Sequence, residues 1–580
     1  MSQAEPLFSG FPPVDHAAWK SKVLEELKGA DYAKIVWKTP EGFSMEPWYN
    51  RYTALPFPGV TFSRPTNRWR ICQQIQASPA QQASSEAASA LDGGADAIEF
   101  RLSDPLQGSR DYLAAILRNI DLSKVPVYFS GEMGDASELL DNLMQIKGID
   151  ANTGAILKDA ADVALSVAAS RPSGFRTMAV DTERFHTAGA TITQEIAFAL
   201  AGASDILSRC TDAGVAAVKA AESIETIFCT GTSHFPELAK LRAFRAMWPQ
   251  LLSAYGVTSA SCPEPRIFVR SSQRSASVLD PYTNILRLST EAVSAILGGC
   301  DTLQLSSFDT IGAVSHDFAA RITRNIHHLL KDESGLDHVV DPAAGSYYID
   351  TLTETLCREA WTLFQGLEAA GGLKKAEADG MVASMIAPAF EAQNKSVNTR
   401  KRSLIGINRY AVAPSAEVAA VLKSAPDVAA EAAPEFERLR LRMLLHAATA
   451  GSTPRAALWL HGDPAKCFRV AAFAEDFLRS GGFDITPGTT LAIETKSCRT
   501  ILQDEPDIIV LCWTGEQDLE ALPAILETLQ ELHKETVVIM ASKPPENAAD
   551  YIKAGLDQFI HLGSDAYATL RSLQHKTGVL

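Results

Sequence analysis

The sequence predicts an α/β protein with two folded units, a (β/α)8 TIM barrel followed by a small doubly wound α/β domain of flavodoxin-like type. Three observations predict it. Between residues 66 and 365, short runs rich in β-branched and aromatic residues alternate with longer runs of helical period, as parallel strands with crossover helices do. Eight such short runs can be counted, the number that closes a barrel. After Pro454 the alternation resumes with five further strands, and 580 residues exceed a single core at ~100–200 residues per domain.

Residues 1–65 read as an arm. One amphipathic helix is expected around Ala17–Lys28, stopped by Gly29. The rest is rich in proline and aromatic residues (Trp37, Pro47, Trp48, Tyr49, Tyr52, Pro56, Phe57, Pro58), the composition of a segment wrapped over another surface.

The expected barrel strands are WRICQQI (69–75), ADAIEFRL (95–102), VPVYFSG (125–131), a weak fourth near Gly148–Ala155, FRTMAVD (175–181), ETIFCTG (225–231), RIFVRSS (266–272) and DTLQLSS (301–307). Helical patterns lie between them, for example Ala188–Arg209, Pro236–Tyr255 and Tyr282–Leu297. Active sites in such barrels lie at the strand C-termini. Residues 366–453 read as a helical linker whose connector, AVAPSAEVAAVLKSAPDVAAEAAPEFE, has linker composition. Residues 454–580 carry AALWLH, FDIT, DIIVLCW, TVVIMAS and QFIHLG, each followed by a helical pattern or turn, and ligands of doubly wound domains bind outside the strand C-termini.

Composition excludes several classes. A net charge of −16 lacks the basic footprint of a nucleic-acid binder. Nine scattered cysteines without a CxxC pair point to reduced thiols in a cytoplasm, and the twelve histidines form no HExxH metal motif. The start, MSQAEPLFSGFPPVD, lacks the blocks of a signal peptide, and no apolar run approaches the ~18 residues of a membrane span.

Four stretches carry a family resemblance: LKGADYAKIVWKTPEGFSMEPWY in the arm, ELAKLRAFRAMWPQL and DFAARITRNIHHLLKDESGLDHVVDPAAGSYYID in the barrel, and LIGINRYAV after it. Together they resemble the methylmalonyl-CoA mutase family, the adenosylcobalamin-dependent isomerases that interconvert methylmalonyl-CoA and succinyl-CoA. The resemblance spans nearly the whole chain and implies a substrate barrel with a cobalamin domain. The family holds catalytic chains and shorter small subunits that pair with one.

Position by position, this chain departs from the catalytic pattern. Cobalamin-binding members carry D-x-H-x-x-G after the first strand of the last domain, where the His meets cobalt. Here Ala465-Lys466-Cys467-Phe468-Arg469-Val470 falls there. Asp463-Pro464 is an N-cap and N1 pair that should start a helix. On that helix Cys467, Val470, Ala471, Ala474, Phe477 and Leu478 form one stripe, which places the Cys467 thiol in the core. The family's Ser-x-Leu falls on Cys512-Trp513-Thr514, whose indole would fill the slot of the cofactor tail, and its Gly-Gly falls on Ser542-Lys543. Gly563-Ser564 persists, as turn chemistry also requires.

In the barrel, the W-T-I-R-Q-Y pattern falls on Trp69-Arg70-Ile71-Cys72-Gln73-Gln74, so Cys72 and Gln74 replace the functional pair. The Tyr-His pair that polarises the thioester carbonyl falls on Glu183-Arg184, before Ala188-Gly189-Ala190-Thr191. Ionised Glu183 would oppose charge on that oxygen, and Arg184 could donate only by folding inward. His186 is read as structural in preference to a displaced catalyst. Ser272 and Gln273 match a substrate-gripping His-Ser-Gln run, and are read as a hydrogen-bonded barrel rim in preference to residual substrate binding.

The resemblance therefore implies a small, non-catalytic subunit with a degenerate cobalamin-binding domain. It implies no catalytic, cofactor-binding or metal residues of its own, with adenosylcobalamin and substrate held by a related large subunit of a heterodimer. Two alternatives stand beside it: a self-sufficient acyl-CoA mutase with altered cobalamin ligation, and a CoA-thioester-binding regulatory module.

Overall fold

The computed structural model describes residues 14–149, 152–158, 175–515 and 517–579. Residues 1–13 of the expected arm, and positions 150 and 151 of the expected fourth strand, lie outside them.

Eight parallel strands form the first sheet: β1 (Arg70–Gln76), β2 (Ala97–Leu102), β3 (Val127–Gly131), β4 (Ala155–Ile156), β5 (Met178–Asp181), β6 (Ile224–Thr230), β7 (Arg266–Ser271) and β8 (Thr302–Gln304). Their order is β4-β3-β2-β1-β8-β7-β6-β5, and a parallel bridge from Ala155 to Arg176 closes the ring. The seam is made by Arg176 N–H donating to Gly154 O and Ile156 N–H donating to Arg176 O, both at 2.9 Å.

The fourth strand is later and shorter than the sequence suggests, for a steric reason. A Cβ at Gly154 would lie 1.8 Å from the Val127 carbonyl oxygen, so the approach to β3 demands glycine and not a β-branched residue. Buried Asn152 then takes over the pairing: its side chain accepts from Val127 N–H and Gly154 N–H and donates to Leu122 O and Val125 O.

The barrel helices are fastened by buried cations. On the helix His234–Ala254, Arg242 reaches Asp341 at 2.8 Å and Asp350 at 2.9 Å, tying it to the helix Tyr347–Ala369. Arg245 on the same helix reaches Asp301 at 2.7 Å, just before β8. The charged positions in ELAKLRAFRAMWPQL are thus internal ion pairs.

The arm's helix runs His16–Glu26, and a short antiparallel pair, Trp37–Lys38 with Ser44–Met45, lays Met45 into the barrel core. Glu41, at its turn, accepts from Ile192 and Thr193 N–H and caps the helix Ile192–Asp212. Trp37, Trp48 and Tyr52 remain exposed.

The second sheet has five parallel strands, β9 (Arg455–His461), β10 (Asp484–Thr490), β11 (Ile508–Trp513), β12 (Val537–Met540) and β13 (Gln558–Phe559), in the order β10-β9-β11-β12-β13. This is the doubly wound order in which the second strand lies at one edge. The connector between the sheets is folded into helices Ala416–Ser424 and Pro426–Ala432, with Val418, Leu422 and Ala429 packed on Val278 and Leu279. Glu437 seals this contact, accepting from Ser277 Oγ at 2.5 Å and Val278 N–H at 2.9 Å. Among the described residues, no helix is long and apolar enough to cross a membrane.

Adjacent His327 and His328 diverge. His327 is buried and accepts from Trp69 Nε1 at 3.2 Å, whereas His328 lies at the surface beside Gly93. Burial, with lesser repulsion from His328 and Lys331, lowers the His327 pKa to about 3. The unfolded chain therefore binds this proton first as pH falls, so stability present above about pH 6.5 is lost progressively towards pH 3. At pH 5 the loss from this group should be about 2 kcal/mol. Denaturant midpoints at pH 7 and 5 should show a smaller acid loss in His327→Gln than in the parent.

Candidate functional site at the barrel mouth

Inward-pointing residues alternate along each barrel strand, and they fill the axis in layers. At the bottom, Arg176 lies 3.5 Å from Glu225, and Tyr128 OH pairs with Thr302 Oγ1 at 3.0 Å. In the middle, Cys72, Ala97, Ala155, Ala179, Ile227 and Phe268 close around the Tyr128 ring in one apolar cluster. Cys72 is thus a core residue, and its thiol pKa is raised well above the usual value, by burial first and then by Glu99. A thiol in that state is unreactive.

The top layer is charged. Arg270, from β7, donates to Glu99 of β2 at 2.5 Å and also to Glu183, just after β5. Glu99 additionally accepts from Ser130 of β3 at 2.5 Å and from Gln74 of β1 at 3.1 Å. Burial alone would lower the Arg270 pKa, but Glu99, Glu183 and Asp181 outweigh it and raise it. The two replacements expected at Cys72 and Gln74 therefore have structural partners. Glu183 is an ion-pair partner instead of a lone opposing charge. Arg184 does not fold inward: it pairs with Glu377 at 2.7 Å and covers Phe185 from outside.

Above this layer is a cavity of about 600 Å³, bounded by the barrel rim, the helix Met381–Asn398 and the segment before the second sheet. On its floor His186 is held at both ring nitrogens, Nδ1 2.7 Å from Glu195 Oε1 and Nε2 2.7 Å from Ser272 Oγ. Lys240 bridges Glu195 at 2.9 Å and Glu237 at 2.6 Å, and Glu237 also accepts from Gly231 N–H. Gln273 is exposed beside Ser272. Arg274 and Arg402 also line the cavity, the first donating to Gln393 and the second to Thr232. The sequence reading weighed His186 and Ser272 separately and missed Glu195, Lys240 and Glu237. The available signal was charge at apolar helical positions, in ITQEIAFALA and ELAKLRAFRAM.

In the last domain, Asp463 caps the helix Pro464–Arg479 by accepting from Lys466 N–H at 3.0 Å. Cys467 is 3% exposed, and its Sγ–H donates to His461 O at 2.9 Å. Ala471, Ala474, Phe477 and Leu478 share its buried stripe, with Val470 at the margin. Trp513 is buried against Trp459 and His461 within the sheet's other core layer. Ser542 and Lys543 lie at the surface end of β12. Gly563 and Ser564 make a turn around His561, whose Nδ1 accepts from Gly563 N–H and whose N–H donates to Ser564 Oγ.

A (β/α)8 barrel with a filled axis and a mouth cavity, followed by a five-stranded doubly wound domain, defines the class of architecture. Residues 132–446 match the family model for methylmalonyl-CoA mutase. A methylmalonyl-CoA mutase small subunit from Porphyromonas gingivalis is 31% identical, covering 100% of this chain and 99% of its own length. A probable methylmalonyl-CoA mutase small subunit from Mycobacterium tuberculosis is 27% identical, over 93% of this chain and 92% of its own. A methylmalonyl-CoA mutase from Rhizobium meliloti is 36% identical over 41% of this chain and 33% of its own length. The chain belongs to the methylmalonyl-CoA mutase family.

Removing Arg270 would leave Glu99 buried without its cation. Arg270→Met should therefore destabilise the protein by roughly 3–5 kcal/mol in urea unfolding. Glu99→Gln combined with Arg270→Met should recover a large part of that loss, because the pair is then removed together.

Proposed function

We propose that this chain is the small, non-catalytic subunit of a heterodimeric, cytoplasmic methylmalonyl-CoA mutase. It supports a related large subunit that holds adenosylcobalamin and converts methylmalonyl-CoA to succinyl-CoA. The carrying observation is the turn after β9. A ligand to cobalt needs a side chain projecting from that turn, and the chain instead starts a capped helix there with Cys467 turned inward. His461, the histidine beside it, is held by Leu491 O at Nδ1 and by the Trp513 ring. These residues do not fit adenosylcobalamin.

The barrel supports the same reading. Charged and apolar side chains occupy its axis, and the positions of the Tyr-His pair are committed to ion pairs with Arg270 and Glu377. What remains for the chain is surface. The arm keeps Trp37, Trp48 and Tyr52 exposed, as a segment meant to lie on a second chain would. Binding of that kind stabilises the partner by mass action.

A second reading has one observation in its favour: the mouth cavity, with Arg274, Arg402, Ser272 and Gln273 on its wall, has room for an acyl-CoA terminus in a regulatory role. Titration calorimetry with methylmalonyl-CoA and succinyl-CoA tests it, and no heat removes it.

Affinity capture of this chain from its own cells should recover a longer relative carrying an intact D-x-H-x-x-G turn. The purified chain alone, after incubation with adenosylcobalamin and gel filtration, should show no corrinoid absorbance. A stoichiometric corrinoid spectrum, or recovery of the chain only with itself, would overturn the proposal.

A further inference from the structure

Glu195, His186 and Ser272 form a continuous hydrogen-bonded relay that ends on a cavity, and a purely supporting role makes no use of it. Glu195 is fully buried. Burial pushes its pKa up, but the Lys240 ammonium and the His186 ring outweigh that and leave it below the usual carboxylate range. An ionised carboxylate only accepts hydrogen bonds, so His186 Nδ1, at 2.7 Å, carries the proton facing it. In the neutral ring Nε2 then presents a lone pair, and Ser272 Oγ, at 2.7 Å, is the donor to it.

Lys240 does not cancel this arrangement. It is shared between Glu195 and Glu237, so the three groups together carry one net negative charge beneath the imidazole. A proton moved from Ser272 to Nε2 would be compensated by that charge. Ser272 also accepts from Arg274 N–H at 3.3 Å and is partly open to the cavity.

Two cations face the same space. Arg274 and Arg402 have no carboxylate within ion-pair distance among the described residues, and burial lowers the pKa of both. Guanidiniums held largely out of bulk water, on which Glu195 and Glu237 act only from beyond ion-pair distance, are suited to an anionic ligand, or to negative charge developing on a carbonyl oxygen.

We propose that Ser272 is a nucleophile, activated by His186 and oriented through Glu195, towards carboxylic esters whose acyl part bears a further anionic group. In the first step Ser272 Oγ bonds to the acyl carbon as its proton passes to His186 Nε2. The ester C–O bond then breaks, and the leaving alcohol takes that proton. Water repeats the sequence on the acyl-serine, releasing the carboxylic acid and regenerating the hydroxyl. No other reactant is required. The proposal stands apart from the subunit role, which makes the chain non-catalytic in the mutase reaction only, and neither depends on the other.

The test uses the full chain with a fluorophosphonate probe, followed by peptide mass spectrometry. Adduct should form on the peptide containing Ser272. Ser272→Ala should lose it, and His186→Gln should slow it by about 100-fold or more. The p-nitrophenyl half-ester of a dicarboxylic acid should be hydrolysed faster than p-nitrophenyl acetate, and Arg274→Gln should reduce that preference. A measurement on the unsubstituted chain guards against misfolded variants: the labelling rate should rise with pH through a single ionisation. No adduct at Ser272, a rate unchanged in His186→Gln, or a flat pH profile would each overturn the proposal.

Discussion

A guanidinium and two carboxylates meet at the top of the barrel axis, and the surrounding strands are arranged to keep them together. Arg270 cannot leave Glu99 without stranding a charge in a place that water does not reach, which costs far more than a surface pair is worth. Glu99 in turn holds Gln74 and Ser130, so β1, β2, β3 and β7 are drawn to one point, with the segment after β5 joined through Glu183. A barrel used as a conduit must keep its axis clear. This one spends that space on internal pairing, with an apolar layer below it built around Tyr128 and Phe268.

The same economy of internal pairing governs the exterior of the barrel. Arg242 and Arg245 look like surface residues in the sequence, but each binds carboxylates contributed by another segment. Glu437 does the same for the connector, replacing water around Ser277 and Val278 with its own oxygens. A stretch with the composition of a flexible tether is therefore seated on the barrel, because a few aliphatic contacts and one buried carboxylate outweigh the disorder its sequence favours.

The sequence was most legible where hydrophobic period and local caps agree. Five barrel strands fall within the expected runs, β1 and β6 overrun theirs by one residue, and the cap at Asp463 starts its helix where the Asp-Pro pair indicates. The fourth strand was faint because Gly154 answers to the neighbouring backbone instead of to strand propensity. The mouth cluster was illegible for a different reason. His186 and Glu195 sit on successive helices, but Lys240 and Ser272 come from distant segments, and only the folded barrel brings these within hydrogen-bonding distance of the pair. Arg184 and Glu183 are adjacent in sequence yet turn to opposite environments, which no linear reading of their types reveals.

The inward thiol of Cys467 makes the introduction of an imidazole at that turn costly. The sulfur fills a space bounded by the His461 carbonyl and the Thr514 hydroxyl, 2.9 and 3.5 Å away, under a helix already fixed by its cap. A ring placed there by a single codon change would exceed the space available, and overfilled cores lose on the order of 1–3 kcal/mol. The cap, the helix start and the packing stripe would all have to change together. Small steps cannot traverse such a barrier without passing through weakened proteins, so the architecture of this turn acts as a ratchet on what the domain can become.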